Sequence, residues 1–252
     1  MNTAMRLAVV SDIHGECFIF DQVLQDIRRQ GIEQMVCLGD AIQGGSQPAE
    51  TLARLRELNC PVVMGNADAW LITGQNTSPQ GISETQQAVR AWSLAQLSEN
   101  DRDYMRQFHP TIEIPLTAGR TLLCFHGSPR SFDEIILPQT PDETVRQFLD
   151  GFDATLLTGG HTHTQQMRRL GNSWYFNPGS VSLAYNWEHC DLAKGQVRVD
   201  PWADYAIVSS EEAGFGITFR HVPFDVDALA RIISTSGRPY ADDAIATYLH
   251  KS

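Results

Sequence analysis

The chain opens on a short apolar run, Arg6–Ser11, that stops at the polar turn Asp12-Ile13-His14-Gly15. Phe18, Ile19, Val23, Leu24 and Ile27 then fall at helical spacing and Gly31 follows, which predicts a helix over 18–29. A second run, Met35–Leu38, ends in Gly39-Asp40 and a glycine-rich loop. A helix is predicted over 48–58, and a third run, Val62–Met64, ends in Gly65-Asn66. Strand, polar loop and helix have then occurred twice, a rhythm that predicts an α/β core with helices packed on a sheet. The rhythm breaks over about 67–109, where no strand pattern occurs and helices are predicted at 83–97 and 99–108. This reads as a helical insertion after the third strand, suited to cover a site and select its substrate, or only to pack. Strands resume at 112–116 and 121–125, joined as a hairpin. A helix at 142–149 precedes a strand at 154–157, and short strands follow near 165–170, 173–176, 203–209 and 216–224. Helices are predicted at 225–234 and 241–250, and no composition break divides residues 1–252 into two domains.

Composition narrows this reading. With 19 basic and 30 acidic residues the net charge is −11, and the basic clusters, Arg28-Arg29 and Arg168-Arg169, are too small for a nucleic-acid stripe. Duplex DNA and long RNA are therefore not expected as partners. No apolar run is long enough to span a bilayer, and Met1–Arg6 lacks the basic and apolar parts of a secretory signal. Cys17, Cys37, Cys60, Cys124 and Cys190 are odd in number and never spaced CxxC, as expected of free thiols in the cytoplasm.

The chemistry lies in where the metal-type side chains fall. Asp12 and His14 follow the first strand, Asp40 the second and Asn66 the third; His126 follows a later strand, and His161 and His163 another. Strand C-terminal ends of an open α/β sheet converge on the edge where ligands bind. Imidazole, carboxylate and amide without Cys suit Mn, Fe, Zn, Ni or Co. Seven donors exceed one tetrahedral site and suit two ions sharing a carboxylate; Asp40, in the middle of the set, is the candidate for sharing. Two such ions polarise phosphoryl oxygens and acidify a bridging water, a phosphoester hydrolase design. Singly the pieces are weak, since Asp-x-His can cap a helix and Gly-Asp is an ordinary turn; Gly160-His-Thr-His163 is more specific, and the order of all five carries the argument.

Those pieces, DIH at 12–14, GD at 39–40, GN at 65–66, His126 and GHTH at 160–163, resemble the five-block pattern of the calcineurin-like metallophosphoesterase superfamily. The likeness spans about residues 5–185, and VVSDIHG, GNAD and FNPGS resemble its small prokaryotic phosphodiesterase branch. The resemblance implies a four-layer αββα sandwich of two mixed sheets flanked by helices. It also implies a metal-dependent phosphodiesterase in which a hydroxide bridging two ions attacks phosphorus in line. Asp12, His14, Asp40 and His163 would hold one ion, manganese among the choices, and Asp40, Asn66, His126 and His161 the other. Asp40, Asn66 and His126 would also serve catalysis.

Two positions depart from the family. Larger members have GNH, whose histidine gives a proton to the leaving group; here that position is Ala67, which can give none, leaving His109, His189 or a metal-held water. Glu16 stands where the family often has Asn. Asp68 reads either as orienting a metal ligand or as capping the next helix. Arg130, Arg168 and Arg169 are possible phosphate contacts or plain surface cations. Trp70, Trp92, Tyr104 and Phe108 could stack on a base or pack the insertion. The expected substrate is a small phosphoester, nucleotide-derived ones included. The alternatives are a phosphomonoester or phosphoprotein phosphatase, a dinucleotide polyphosphate hydrolase, and a non-catalytic protein-binding scaffold of the same fold.

Overall fold

Alternation along the first strand sets the layering. In β1 (Met5–Val10), Leu7 and Val9 face one side while Ala8 and Val10 face the other, and all four are buried. A strand buried on both faces needs a layer on each side. A computed structural model describes residues 5–76, 81–185 and 198–249 of the chain.

The first sheet has the order β2-β1-β8-β9, built from β1, β2 (Gln34–Cys37), β8 (Trp202–Glu211) and β9 (Gly214–Pro223). β1 runs parallel to β2 and antiparallel to β8. The second sheet, β3-β4-β5-β7-β6, contains β3 (Ile112–Pro115), β4 (Thr121–Cys124), β5 (Leu156–Thr158), β6 (Gln166–Leu170) and β7 (Ser173–Asn177). β4, β5 and β7 are parallel, and β3 and β6 are antiparallel edges. Both sheets are thus mixed. Leu7, Val9 and Val208 of the first sheet meet Leu122, Leu156 and Phe176 of the second between the sheets.

Helices cover the two outer faces. Ala8, Val10 and Ile207 pack under α1 (Cys17–Arg29), α2 (Pro48–Glu57), α7 (Val226–Thr235) and α8 (Ala241–Tyr248). On the far side Leu123, Phe125, Leu157 and Tyr175 pack with Val145 and Leu149 of α6 (Asp142–Leu149). This is the expected αββα order of layers. Among the described residues no helix is long and apolar enough to cross a membrane.

Local expectations needed two corrections. Val62–Met64 forms no continuous ladder; Val62 and Val63 make single bridges to Cys37 and His109. The segment after it begins with a helix that the periodicity did not reveal, α3 (Asn66–Thr73), followed by α4 (Glu84–Gln96) and α5 (Glu99–Met105). Ser83 and Ser98 cap the latter two through reciprocal capping boxes. The aromatic residues here mostly pack: Trp70 and Phe108 are buried, and Tyr104 meets Phe108 edge-on at 5.6 Å.

Candidate metal centre

Six of the seven donors sit on tight turns just beyond strand ends, and Asn66 opens α3. Asp12 and His14 follow β1, Asp40 follows β2, His126 follows β4, and His161 and His163 follow β5. Five of them, Asp12, His14, Asp40, His161 and His163, have φ between 47° and 68°. That left-handed backbone costs a non-glycine residue about 1 kcal/mol or more each, and such strain gathers at functional sites. The loops are stitched together. The Asp12 and His14 N–H groups donate to the carbonyls of Gly39 and Asp40 at 3.0 and 2.9 Å, and Gly160 N–H donates to the His126 carbonyl. Glycine is required at 65 and 160, where a Cβ would run into Asp40 and into Ser11 and Asp12.

Two nests result. Asp12, His14 and His163 bring ligand atoms within 4.8 Å of one another, and so do Asp40, His126 and His161. Asn66 joins the second, its Oδ1 lying 3.0 Å from His126 Nε2. One atom links the nests: Asp40 Oδ2 is 3.9 Å from His14 Nε2 and 3.5 Å from His126 Nε2. Asp40 Oδ1 meanwhile accepts the Ala67 backbone N–H at 2.8 Å.

The donor chemistry fits divalent cations. Three imidazoles give Nδ1 to a backbone carbonyl: His14 to Gln43 at 2.8 Å, His126 to Leu38 at 2.8 Å and His163 to Leu183 at 3.1 Å. A carbonyl only accepts, so each Nδ1 carries a proton, and in a neutral ring the Nε2 lone pair then faces inward. His14 Nε2 and His163 Nε2 then face each other at 3.2 Å, and the buried Asp12 Oδ1 lies 3.9 and 3.3 Å from them. Lone pairs converging on a buried carboxylate call for a positive charge among them.

The proton affinities say the same. Burial pushes the Asp40 carboxyl up, but the facing His126, His14 and His161 outweigh it and hold it well below the usual carboxylate range. Burial likewise opposes ionisation of Asp12, and His163 overcomes it. His126 is penalised by burial yet raised to about 9 by the Asp40 carboxylate, so without a metal a proton takes the cation's place on it. Burial, with His126 alongside, drops His161 to about 4.

A supporting shell holds the nests, and most of it was not visible in the sequence. Asp68 caps nothing; fully buried, it accepts the N–H groups of Ala41 at 3.0 Å and Ile42 at 3.1 Å and so fixes the loop behind Asp40. Its carboxyl is pushed up to about 7 by burial and by Asp40. Ser180 and Ser182 hydroxyls both donate to the Asp12 carbonyl, and Asn177 Nδ2 donates to the Gly160 carbonyl at 2.6 Å. The arginines are engaged elsewhere. Arg130 bonds the carbonyls of Gln147 and Asp150, Arg168 those of Leu137, Pro138 and Thr140, and Arg169 that of Gly171. His109 is exposed and belongs to neither nest. His189 lies outside the described residues.

Known proteins place this geometry. The family model of the calcineurin-like phosphoesterase superfamily domain matches residues 5–193. An uncharacterized protein of Methanocaldococcus jannaschii is 44% identical over 179 residues, 70% of either chain. Phosphodiesterase YfcE of Escherichia coli is 27% identical over 189 residues, 71% of this chain and 80% of its own. The crystal structure of a metallophosphoesterase from Sphaerobacter thermophilus shares the fold with a TM-score of 0.73 at 23% identity, covering 97% of this chain and 99% of that one.

Proposed function

The chain belongs to the calcineurin-like phosphoesterase superfamily, whose chemistry is the hydrolysis of phosphoric esters, and from that premise we propose that it is a phosphodiesterase working with two divalent ions. The observation that carries this reading is Asp40 Oδ2, within 4 Å of an imidazole nitrogen of each nest. Asp12, His14, Asp40 and His163 would hold one ion, and Asp40, Asn66, His126 and His161 the other. Such ions polarise a phosphoryl oxygen and make water acidic enough to attack phosphorus in line. Mn, Fe, Zn, Ni and Co all suit the donors.

The protein's own part is positioning. The carbonyls of Gln43, Leu38 and Leu183 fix three imidazoles in the tautomer that turns Nε2 inward. Ala67 N–H orients Asp40, while its methyl offers no proton to the departing alcohol. Esters with acidic leaving groups, aryl or nucleotide-like, are therefore the ones this site handles best. Phosphodiesterase YfcE of Escherichia coli, 27% identical, supports the choice of diesters. Four buried free cysteines, Cys17, Cys37, Cys60 and Cys124, are compatible with a cytoplasmic setting.

The test is hydrolysis of bis-p-nitrophenyl phosphate against p-nitrophenyl phosphate with Mn²⁺, Ni²⁺, Zn²⁺ or Mg²⁺. The expected result is diester cleavage that needs added metal and falls by about 10³-fold or more in Asp40→Asn. Preference for the monoester would make the protein a phosphatase. Absence of both turnover and metal binding would make it a scaffold.

A further inference from the structure

Beside the first nest lies a cavity of about 280 Å³ that shares His14 as a wall. Its far side comes from Arg238, Ala244, Thr247 and Tyr248, all beyond the residue 193 at which the family match ends. The superfamily domain thus supplies the metal side, and the C-terminal segment supplies the rest. No residue of the 67–109 insertion lines it. Ala244, Thr247 and Tyr248 share one face of α8 by their i, i+3, i+4 spacing.

The lining describes its guest. Tyr185 stacks on His163, 4.6 Å between centroids at 25°, which fixes a flat aromatic wall directly against a metal ligand. Leu183, Ala244 and Tyr248 make the other surfaces apolar. Besides the hydroxyls of Ser182 and Thr247 and the shared His14, two charged-type groups break this pattern. Glu16 is 4% exposed; its oxygens accept Ser46 N–H at 3.1 Å and Ser46 Oγ–H at 2.7 Å, leaving further lone pairs to accept with. Arg238 is clamped by the carbonyls of Gly44, through Nε, and of Pro239 and Tyr240, through Nη1. Its Nη2 has no carbonyl partner among the described residues and remains a donor. A fixed acceptor and a fixed donor between flat apolar walls complement a heteroaromatic ring whose edge carries both an N–H and a carbonyl.

We propose that this cavity holds the nucleobase-bearing arm of the diester, with Tyr185 and Tyr248 as walls and Glu16 and Arg238 reading the base edge. The inference rests on the phosphodiesterase reading for the phosphorus and on the cavity alone for the base. It also gives Glu16, a departure from the family pattern, a use.

The test compares three esters with one leaving group: the p-nitrophenyl esters of thymidine 5′-phosphate, phenyl phosphate and methyl phosphate. The metal-loaded full chain is expected to favour the thymidine ester over both others in kcat/KM by about tenfold or more, chiefly through KM. Ala244→Trp, which fills the cavity, and Arg238→Gln, which removes the fixed guanidinium, should each collapse that ratio at unchanged metal content. Equal use of the phenyl and thymidine esters overturns the proposal, as does a thymidine preference that survives both substitutions. If no ester turns over, equilibrium dialysis of thymidine 5′-phosphate against phenyl phosphate separates the two readings. Base-selective binding lost in Ala244→Trp keeps the cavity and sinks the phosphodiesterase; no selectivity sinks the cavity as well.

Discussion

At the scale of residues, Asp40 and Asp68 divide the work of two carboxylates. Asp40 spends one oxygen on Ala67 N–H and turns the other between the nests. Asp68 spends both oxygens on the backbone that follows Asp40. Replacing Asp68 by Ala strands two buried N–H donors, so Asp68→Ala should lose about 2–4 kcal/mol of stability. At roughly 2–4 °C per kcal/mol for a chain of this size, thermal unfolding reads this directly. An unchanged Tm would show that Asp68 supports nothing. The six Asp and His side chains that gather into the two nests were legible in the sequence because each sits in a local motif at a strand end. For Asp68 the sequence left two roles open, because its partners are 26 and 27 residues away, and Arg238 gave no signal, because Gly44 is 194 away.

At the scale of elements, the strands and outer helices were legible wherever one face alternates with another. α1 carries Ile19, Phe20, Val23, Leu24 and Ile27 on its buried side. α3 escaped because Ala67, Ala69, Trp70, Leu71 and Ile72 make no one-sided stripe. The short run at Val62–Met64 looked like a strand because apolar character alone does not reveal whether a ladder continues. β8 carries a test of its own. Burial pushes Asp204 from its ordinary 3.8 up to about 7, against the pull of His221, whose Nδ1 lies 2.7 Å away. Between those values the folded chain binds a proton that the unfolded chain has lost. The stability tied to Asp204 is therefore complete below about pH 4 and lost as pH rises through about 7. Asp204→Asn removes this titration and should gain on the parent protein as pH rises from 4 to 8 in thermal melts. A difference independent of pH would contradict it.

At the scale of the whole molecule, the layer order followed from the strand–helix rhythm, but the sheet orders did not. β8 pairs with β1 across about two hundred residues, Met5 facing Ser210, and no local pattern announces such a partner. That return has a consequence for function. It carries α7 and α8 back over the first sheet, and α8 to the cavity beside His14. The insertion, for which substrate selection and plain packing were both open, packs through Leu71, Leu97, Met105 and Phe108 in the helical layer of the first sheet. The two sheets meet where their strand ends carry the two nests, and the account stands on one carboxylate oxygen serving both. An anomalous difference map from crystals of the Mn²⁺-loaded protein tests this most directly. The account predicts two peaks, one among Asp12, His14 and His163 and one among Asn66, His126 and His161, with Asp40 between them. A single peak, or two peaks of which Asp40 touches only one, would contradict it.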